Sequence, residues 1–205
     1  MLIFETGSRK ERDRVCDAQR WYTNQLRRCL VTVRTGVADI RNPPGIPIIY
    51  EGQEQHYSGT GTPNNREAVW LSGYSTSSVL YTWITTLNQL RNYAIKQDAN
   101  YTTSDASPIY SDSQTIALRK GDNGYQIVSI FTNVGAGGVS AAVVLPSSQT
   151  GFGANEALVD VLSCESYTTD GSGNLNVASS QGLPRALYPS ARLSGSGICT
   201  TTTGT

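Results

Sequence analysis

Two carboxylates three residues apart, Glu51 and Glu54, flank Gly52-Gln53, and the only histidine in the chain, His56, follows two positions later. A carboxylate pair beside an imidazole can in principle donate and withdraw protons. This cluster is therefore the first candidate for acid–base chemistry. Trp70 and Trp83 offer apolar ring faces on which a flat ligand can stack. Asn100-Tyr101-Thr102 is an acceptor triplet for N-linked glycan, relevant if the chain is exported. The four cysteines, Cys16, Cys29, Cys164 and Cys199, form no CxxC pair and lie far from His56 in sequence. A structural zinc site usually draws its ligands from close pairs, so metal binding through these residues is not expected.

Elements that could position these groups are legible from residue 45 onward. The run 46–50 (IPIIY) is apolar without alternation, as in a strand buried on both faces. Residues 51–74 then read as a long polar loop carrying the Glu51/Glu54 cluster, and a loop of that length is uncommon unless functional. Residues 76–96 predict a helix, with Val79, Leu80, Trp83, Ile84, Leu87, Leu90 and Ala94 on one apolar stripe. Ser75 or Thr76 is the expected cap. On this reading Trp83 is core, whereas Trp70 lies in the loop. Strand, loop and helix together make one βα unit of a barrel. From about residue 107 the pattern turns to strands: 115–120 and 125–131 around a GDNG turn, then 139–145, 157–163 and 185–189, separated by turn clusters. Short strands without helices indicate a β-sandwich.

Composition narrows the function classes. Hydrophobic residues make up 38% and charged residues 16% of the 205, with net charge zero. The charge is uneven: residues 1–44 hold nine basic against five acidic residues, leaving seven against eleven for 45–205. Residues 15–30 form a loose amphipathic pattern, and 1–44 as a whole read as a poorly ordered terminus. With no basic stripe elsewhere, nucleic acid is not an expected partner. No apolar run approaches the roughly 20 residues needed to span a bilayer, so no membrane partner is expected. The first residues lack the apolar stretch of a signal peptide, and localisation stays open on the residues alone.

The segments GIPIIYEGQEQHY (45–57), NREAVWLSGY (65–74), LRNYAI (90–95), IALRKG (116–121), QIVSI (126–130) and GLPRALYP (182–189) resemble the corresponding stretches of secreted fungal-type α-amylases. The resemblance runs nearly unbroken from Gly45 to Cys199, and its order is that of the carboxy-terminal end of such an enzyme. It implies a mixed fold: the last strand–helix unit of a (β/α)8 barrel followed by an antiparallel β-sandwich. The expected division is 1–44 outside the family, 45–99 as the barrel remnant and 100–205 as the sandwich. It also implies a disulfide between Cys164 and Cys199, while Cys16 and Cys29 match nothing in the family.

The chemistry implied is endo-hydrolysis of α-1,4-glucosidic bonds in starch or glycogen. The resemblance places the catalytic Asp, Glu and Asp, and the family's calcium site, upstream of the matching stretch. Nothing in residues 1–44 reads NHD, the family segment that carries one of these aspartates. The chain is therefore expected to behave as a fragment, inactive alone, with no catalytic residue and no cofactor of its own. The alternative is a non-catalytic module that binds carbohydrate or stabilises a barrel. By the same resemblance Glu51, Glu54 and His56 brace the mouth of the last strand rather than react.

Related enzymes hold a distant glucose with an Asp-Pro-x-Asn-Arg run. Here the run is Thr62-Pro63-Asn64-Asn65-Arg66, so Arg66 is the expected α-glucan contact and Thr62 replaces its acidic companion. An ion pair of Arg66 with Glu67, or simple solvation, competes with that role. The family is extracellular, which gives the Asn100 triplet its relevance. With no evident pairing neighbour for strand 46–50, the chain is expected to be a monomer or prone to aggregate.

Overall fold

The computed structural model describes residues 52–55, 67–134, 138–178 and 182–200. The predicted strand 46–50, the arginine-rich arm, Cys16, Cys29, Glu51, His56, Thr62 and Arg66 lie outside the described residues.

The predicted helix is Val79–Gln97, here α1. It starts later than 76 because Ser78, not Ser75 or Thr76, is the cap: the Tyr81 N–H donates to Ser78 Oγ. Its buried stripe is Leu80, Ile84, Leu87, Leu90 and Ala94, whereas Val79 in the first turn is 53% exposed. Trp83 is half-buried against Leu80 and Ile84, as a core residue of that turn. The loop before α1 is not featureless. It holds two 3-10 turns, Gln53–Gln55 and Val69–Ser72.

Among the described residues eight strands follow: β1 (Ser107–Ser111), β2 (Thr115–Lys120), β3 (Ile127–Thr132), β4 (Val143–Leu145), β5 (Ala157–Asp160), β6 (Ser166–Thr168), β7 (Leu175–Val177) and β8 (Arg185–Pro189). A single helical turn, α2 (Ser147–Thr150), follows β4. Six strands form one antiparallel sheet in the order β1-β2-β3-β8-β5-β6, and β4 pairs with β7 in a second sheet. The hairpin β2–β3 pairs Lys120 with Ile127 and Thr115 with Thr132. Its turn needs Gly121 and Gly124, both at positive φ. At Gly121 a Cβ would stand 3.2 Å from the Tyr125 carbonyl oxygen.

The large sheet is buried on both faces, which is why all six residues of β3 are buried. One face carries Ile116, Leu118, Ile127, Phe131, Ala186 and Tyr188. It packs on Leu87, Leu90 and Ala94 of α1, with Tyr101, Leu193 and Ile198 closing the edges. The other face carries Ala117, Val128, Ile130, Leu158 and Leu187 under Val143, Leu145, Leu175 and Val177 of the small sheet. Each fully buried leucine or isoleucine contributes about 1.5–3 kcal/mol. The layers are thus helix, six-stranded sheet and two-stranded sheet.

The Cys164–Cys199 disulfide ties the β5–β6 turn to the carboxy-terminal segment, with Cα atoms 5.4 Å apart. Both half-cystines sit at positive φ, 60° and 51°, a region that non-glycine residues seldom occupy.

Candidate functional site

The candidate site begins at the 3-10 turn Gln53–Gln55, which carries the one described member of the Glu51/Glu54/His56 cluster. The Glu54 carboxylate turns back on its own loop, where its Oε2 accepts the Gly52 N–H at 2.9 Å. Gly52 has φ 88°, a conformation that glycine adopts at no steric cost. The Glu54 carbonyl oxygen accepts the hydroxyl of Ser78, the cap of α1. Gln55 Nε2 donates to the Ser75 carbonyl at 3.0 Å. Glu54 and Gln55 therefore clamp the turn to the start of the helix. A carboxylate engaged in this way braces the loop.

Downstream, the Val69–Ser72 turn ends at Gly73 in the left-handed conformation, with Ser72 Oγ donating to the Val69 carbonyl. This turn exposes Trp70, Leu71 and Tyr74, at 67%, 71% and 62%. Of the two described tryptophans, Trp70 is thus the accessible one and Trp83 the packed one. Glu67 is half-buried at the start of this segment. Its suggested partner Arg66 lies outside the described residues, so their pairing is not part of the described geometry.

At the far end of α1 a second junction locks the helix to the sandwich. Asp98 is 6% exposed and spends both oxygens on backbone donors. Asn100 N–H reaches Oδ1 at 2.8 Å and Asp122 N–H reaches Oδ2 at 3.1 Å. One carboxylate thus ties the helix end, the following turn and the β2–β3 hairpin. Tyr101 inserts its ring beneath this turn and is fully buried, which pushes its hydroxyl pKa well above the ordinary phenol value. Lys120 looks like a polar strand end in sequence yet is 6% exposed. Its Nζ donates to the Ser104 carbonyl and lies 5.1 Å from the Tyr101 ring centroid. Burial, with the nearby Arg91 charge adding to it, lowers the Lys120 pKa.

Asp160 is the third carboxylate in structural use and is 2% exposed. Burial raises its pKa, against the opposing effect of donors from Ala186 N–H, Ser163 Oγ and Leu162 N–H. It organises the turn in which Cys164 N–H donates to the Asp160 carbonyl, setting the cysteine for its bond to Cys199. A raised carboxyl pKa in a cleft would suggest a general acid. Here the group is sealed in the sheet and its oxygens are already taken.

The buried described carboxylates thus act as clasps for backbone. Sequence reasoning missed Asp98, Ser78 and Asp160 as positioning residues. The signals were present but local: an Asp directly after an apolar helix stripe, a Ser one position before it, and Asp-x-x-Ser before a cysteine. Among the described residues no three His, Cys, Asp or Glu side chains are grouped to hold a metal ion. None of the described helices is long and apolar enough to cross a membrane. Asn100, the predicted glycan acceptor, is exposed beside the Asp98 clasp, and its Nδ2 donates to Asp122 Oδ2 at 2.9 Å.

Comparison with known proteins agrees with this architecture. Residues 108–205 match the family described as α-amylase, domain C. The chain is 46% identical over 167 residues to α-amylase 1 of Schwanniomyces occidentalis, covering 82% of this chain and 32% of that protein. It is 51% identical over 155 residues to α-amylase 1 of Lipomyces kononenkoae, covering 76% of this chain and 24% of that one. The solved structure of an α-amylase from Malbranchea cinnamomea superposes with a TM-score of 0.75 at 39% identity, over 87% of this chain and 35% of that chain. The chain spans about a third or less of the length of these relatives.

Proposed function

With residues 108–205 belonging to the α-amylase domain C family, we propose that the chain serves α-1,4-glucan hydrolysis as a scaffold, joining the last helix of a barrel to the sandwich that covers it. On this reading the 205 residues do not cleave starch by themselves. A retaining glycosidase needs a nucleophilic and an acid/base carboxyl about 5–5.5 Å apart and open to substrate. Glu54, Asp98 and Asp160 are instead engaged with backbone donors or a serine hydroxyl.

The observation that carries the proposal is the shared core of α1 and the large sheet, in which Leu87, Leu90 and Ala94 meet Ile116, Leu118, Phe131 and Tyr188. A helix seated in this way holds the sandwich against whatever the helix's barrel provides. The carbohydrate-binding alternative is less well supported on the sandwich itself. Tyr110, Tyr125 and Tyr167 are half-buried, with Tyr110 donating to Asp112, Tyr125 beneath Arg192 and Tyr167 beneath Arg185. Secretion of the chain goes with this reading and glucan contact through Arg66 with the carbohydrate-binding alternative, both as what the sequence resemblance implies.

The test is an assay of the purified 205-residue chain on soluble starch and maltooligosaccharides, with retention on insoluble starch measured alongside. The scaffold reading expects no release of reducing ends and no retention. Hydrolysis by a preparation shown free of other amylase would overturn it. Retention without hydrolysis would replace it with the binding-module reading.

A further inference from the structure

We propose that Asn100 carries an N-linked glycan, fixed at the corner where α1 meets the sandwich. Asn100-Tyr101-Thr102 is the only N-x-Ser/Thr triplet in the 205 residues. The structure adds three observations to the motif. Asn100 and Thr102 are both exposed, while Tyr101 between them is fully buried, so the acceptor side chain is held outside the core by an anchored neighbour. The turn is closed by Thr103 N–H and Ser104 N–H donating to the Asn100 carbonyl and by Asn100 N–H donating to the Asp98 carboxylate. The Asn100 amide nitrogen gives one hydrogen bond, to Asp122 Oδ2 at 2.9 Å. A primary amide has two N–H donors, so glycosylation leaves one in place. The clasp to Asp122 is therefore compatible with the modified side chain.

An independent observation favours the secretory route. Cys164 and Cys199 are disulfide-bonded, and structural disulfides persist in the secretory route rather than in a reducing cytosol. That route also holds the lipid-linked oligosaccharide donor. In the transfer, the bond between the sugar's anomeric carbon and the donor's pyrophosphate breaks. A C–N bond forms at Asn100 Nδ2, which gives up one proton. The lipid pyrophosphate leaves with the electron pair. Oxidation state does not change. Thr102 supplies the hydroxyl residue of the triplet. This inference does not depend on glucan binding or hydrolysis.

The experiment expresses the full chain behind a cleavable secretion leader in a glycosylating yeast. The chain is then recovered from the medium and from the protease-protected microsomal fraction. Both pools are treated with peptide N-glycosidase in 18O water and mapped by mass spectrometry. The expected result is a mass loss on treatment and 18O-labelled aspartate at position 100. T102S should retain the modification, while N100Q and T102A should lose it. A lumenal chain with the Cys164–Cys199 bond formed and an unmodified Asn100 peptide would overturn the proposal. So would an equal mass loss from N100Q.

Discussion

Truncating Leu90 to alanine removes the fully buried centre of the contact between α1 and the six-stranded sheet. Leu90 is 0% exposed, and its neighbours on both sides, Leu87 and Ala94, are fixed in the same cluster. The void cannot collapse easily, because the helix is clamped at both ends. Ser78 caps it and binds the Glu54 carbonyl at one end, and Asp98 binds the hairpin at the other. A Leu→Ala change in such a site costs about 3 kcal/mol, the sum of lost transfer energy and an unfilled cavity. Against a total stability of about 5–15 kcal/mol this is a large fraction. For a chain of this size it lowers the melting temperature by roughly 6–12 °C. Urea unfolding followed by far-UV circular dichroism and by tryptophan fluorescence is the appropriate assay. Far-UV dichroism follows the sheets, and fluorescence includes Trp83 on α1. The shared core requires both signals to shift together. A variant in which fluorescence shifts while the sheet transition stays in place would refute the argument that helix and sandwich form one cooperative body. So would a total cost well under 1 kcal/mol.

Three further predictions rest on named contacts. Replacing Cys164 and Cys199 by serine frees a loop with a sequence separation of 35; the chain-entropy relation gives a loss of about 4 kcal/mol, read as a fall in the urea midpoint that a reducing agent reproduces in the parent chain. Asp160 has its pKa raised by burial, so its neutral form is the one the fold favours. Its contribution is fully present below the unfolded value of about 3.9 and is lost as pH rises toward the raised folded value. Asp160→Asn keeps acceptors for Ala186 and Leu162, so the stability of the parent relative to this variant should fall across that window, and a rise would contradict the assignment. Ser78→Ala should cost about 1 kcal/mol by removing the helix cap, measured by thermal melting, whereas Ser75→Ala should be close to neutral because it keeps the carbonyl that accepts from Gln55 and loses only an exposed hydroxyl contact with Ser77.

The legible parts of the sequence were those in which chemistry and period coincide. Thr115–Lys120 and Arg185–Pro189 match the predicted 115–120 and 185–189, and the glycines of the GDNG turn stand at positive φ. The elements that stayed hidden are short or atypical. β6 and β7 are three residues each, too short to show alternation. β1 contains Pro108 and is mostly exposed, as suits the edge of a sheet. Predicted strand 139–145 shrinks to Val143–Leu145, leaving Val139 77% exposed, and predicted 157–163 ends at Asp160 because the carboxylate turns the chain there. Burial on both faces of the large sheet also hid Lys120 from pattern reading, since its stem packs while its charge finds a carbonyl and a ring. At the site, Glu54 was legible as a candidate but its role was not. Its carboxylate closes on the Gly52 N–H two residues away, while its backbone carbonyl accepts from Ser78, twenty-four residues on, a contact that no local pattern reports.

The scaffold role requires α1 and the sandwich to be one body, and native-state hydrogen exchange measures that property. The amides of residues 84–94 in α1 and those of β2, β3 and β8 should exchange with the same opening free energy and respond to urea with the same slope. Faster exchange of the α1 amides at a lower opening free energy, with the three strands still protected, would show the helix to be a detachable appendage and would contradict the scaffold reading.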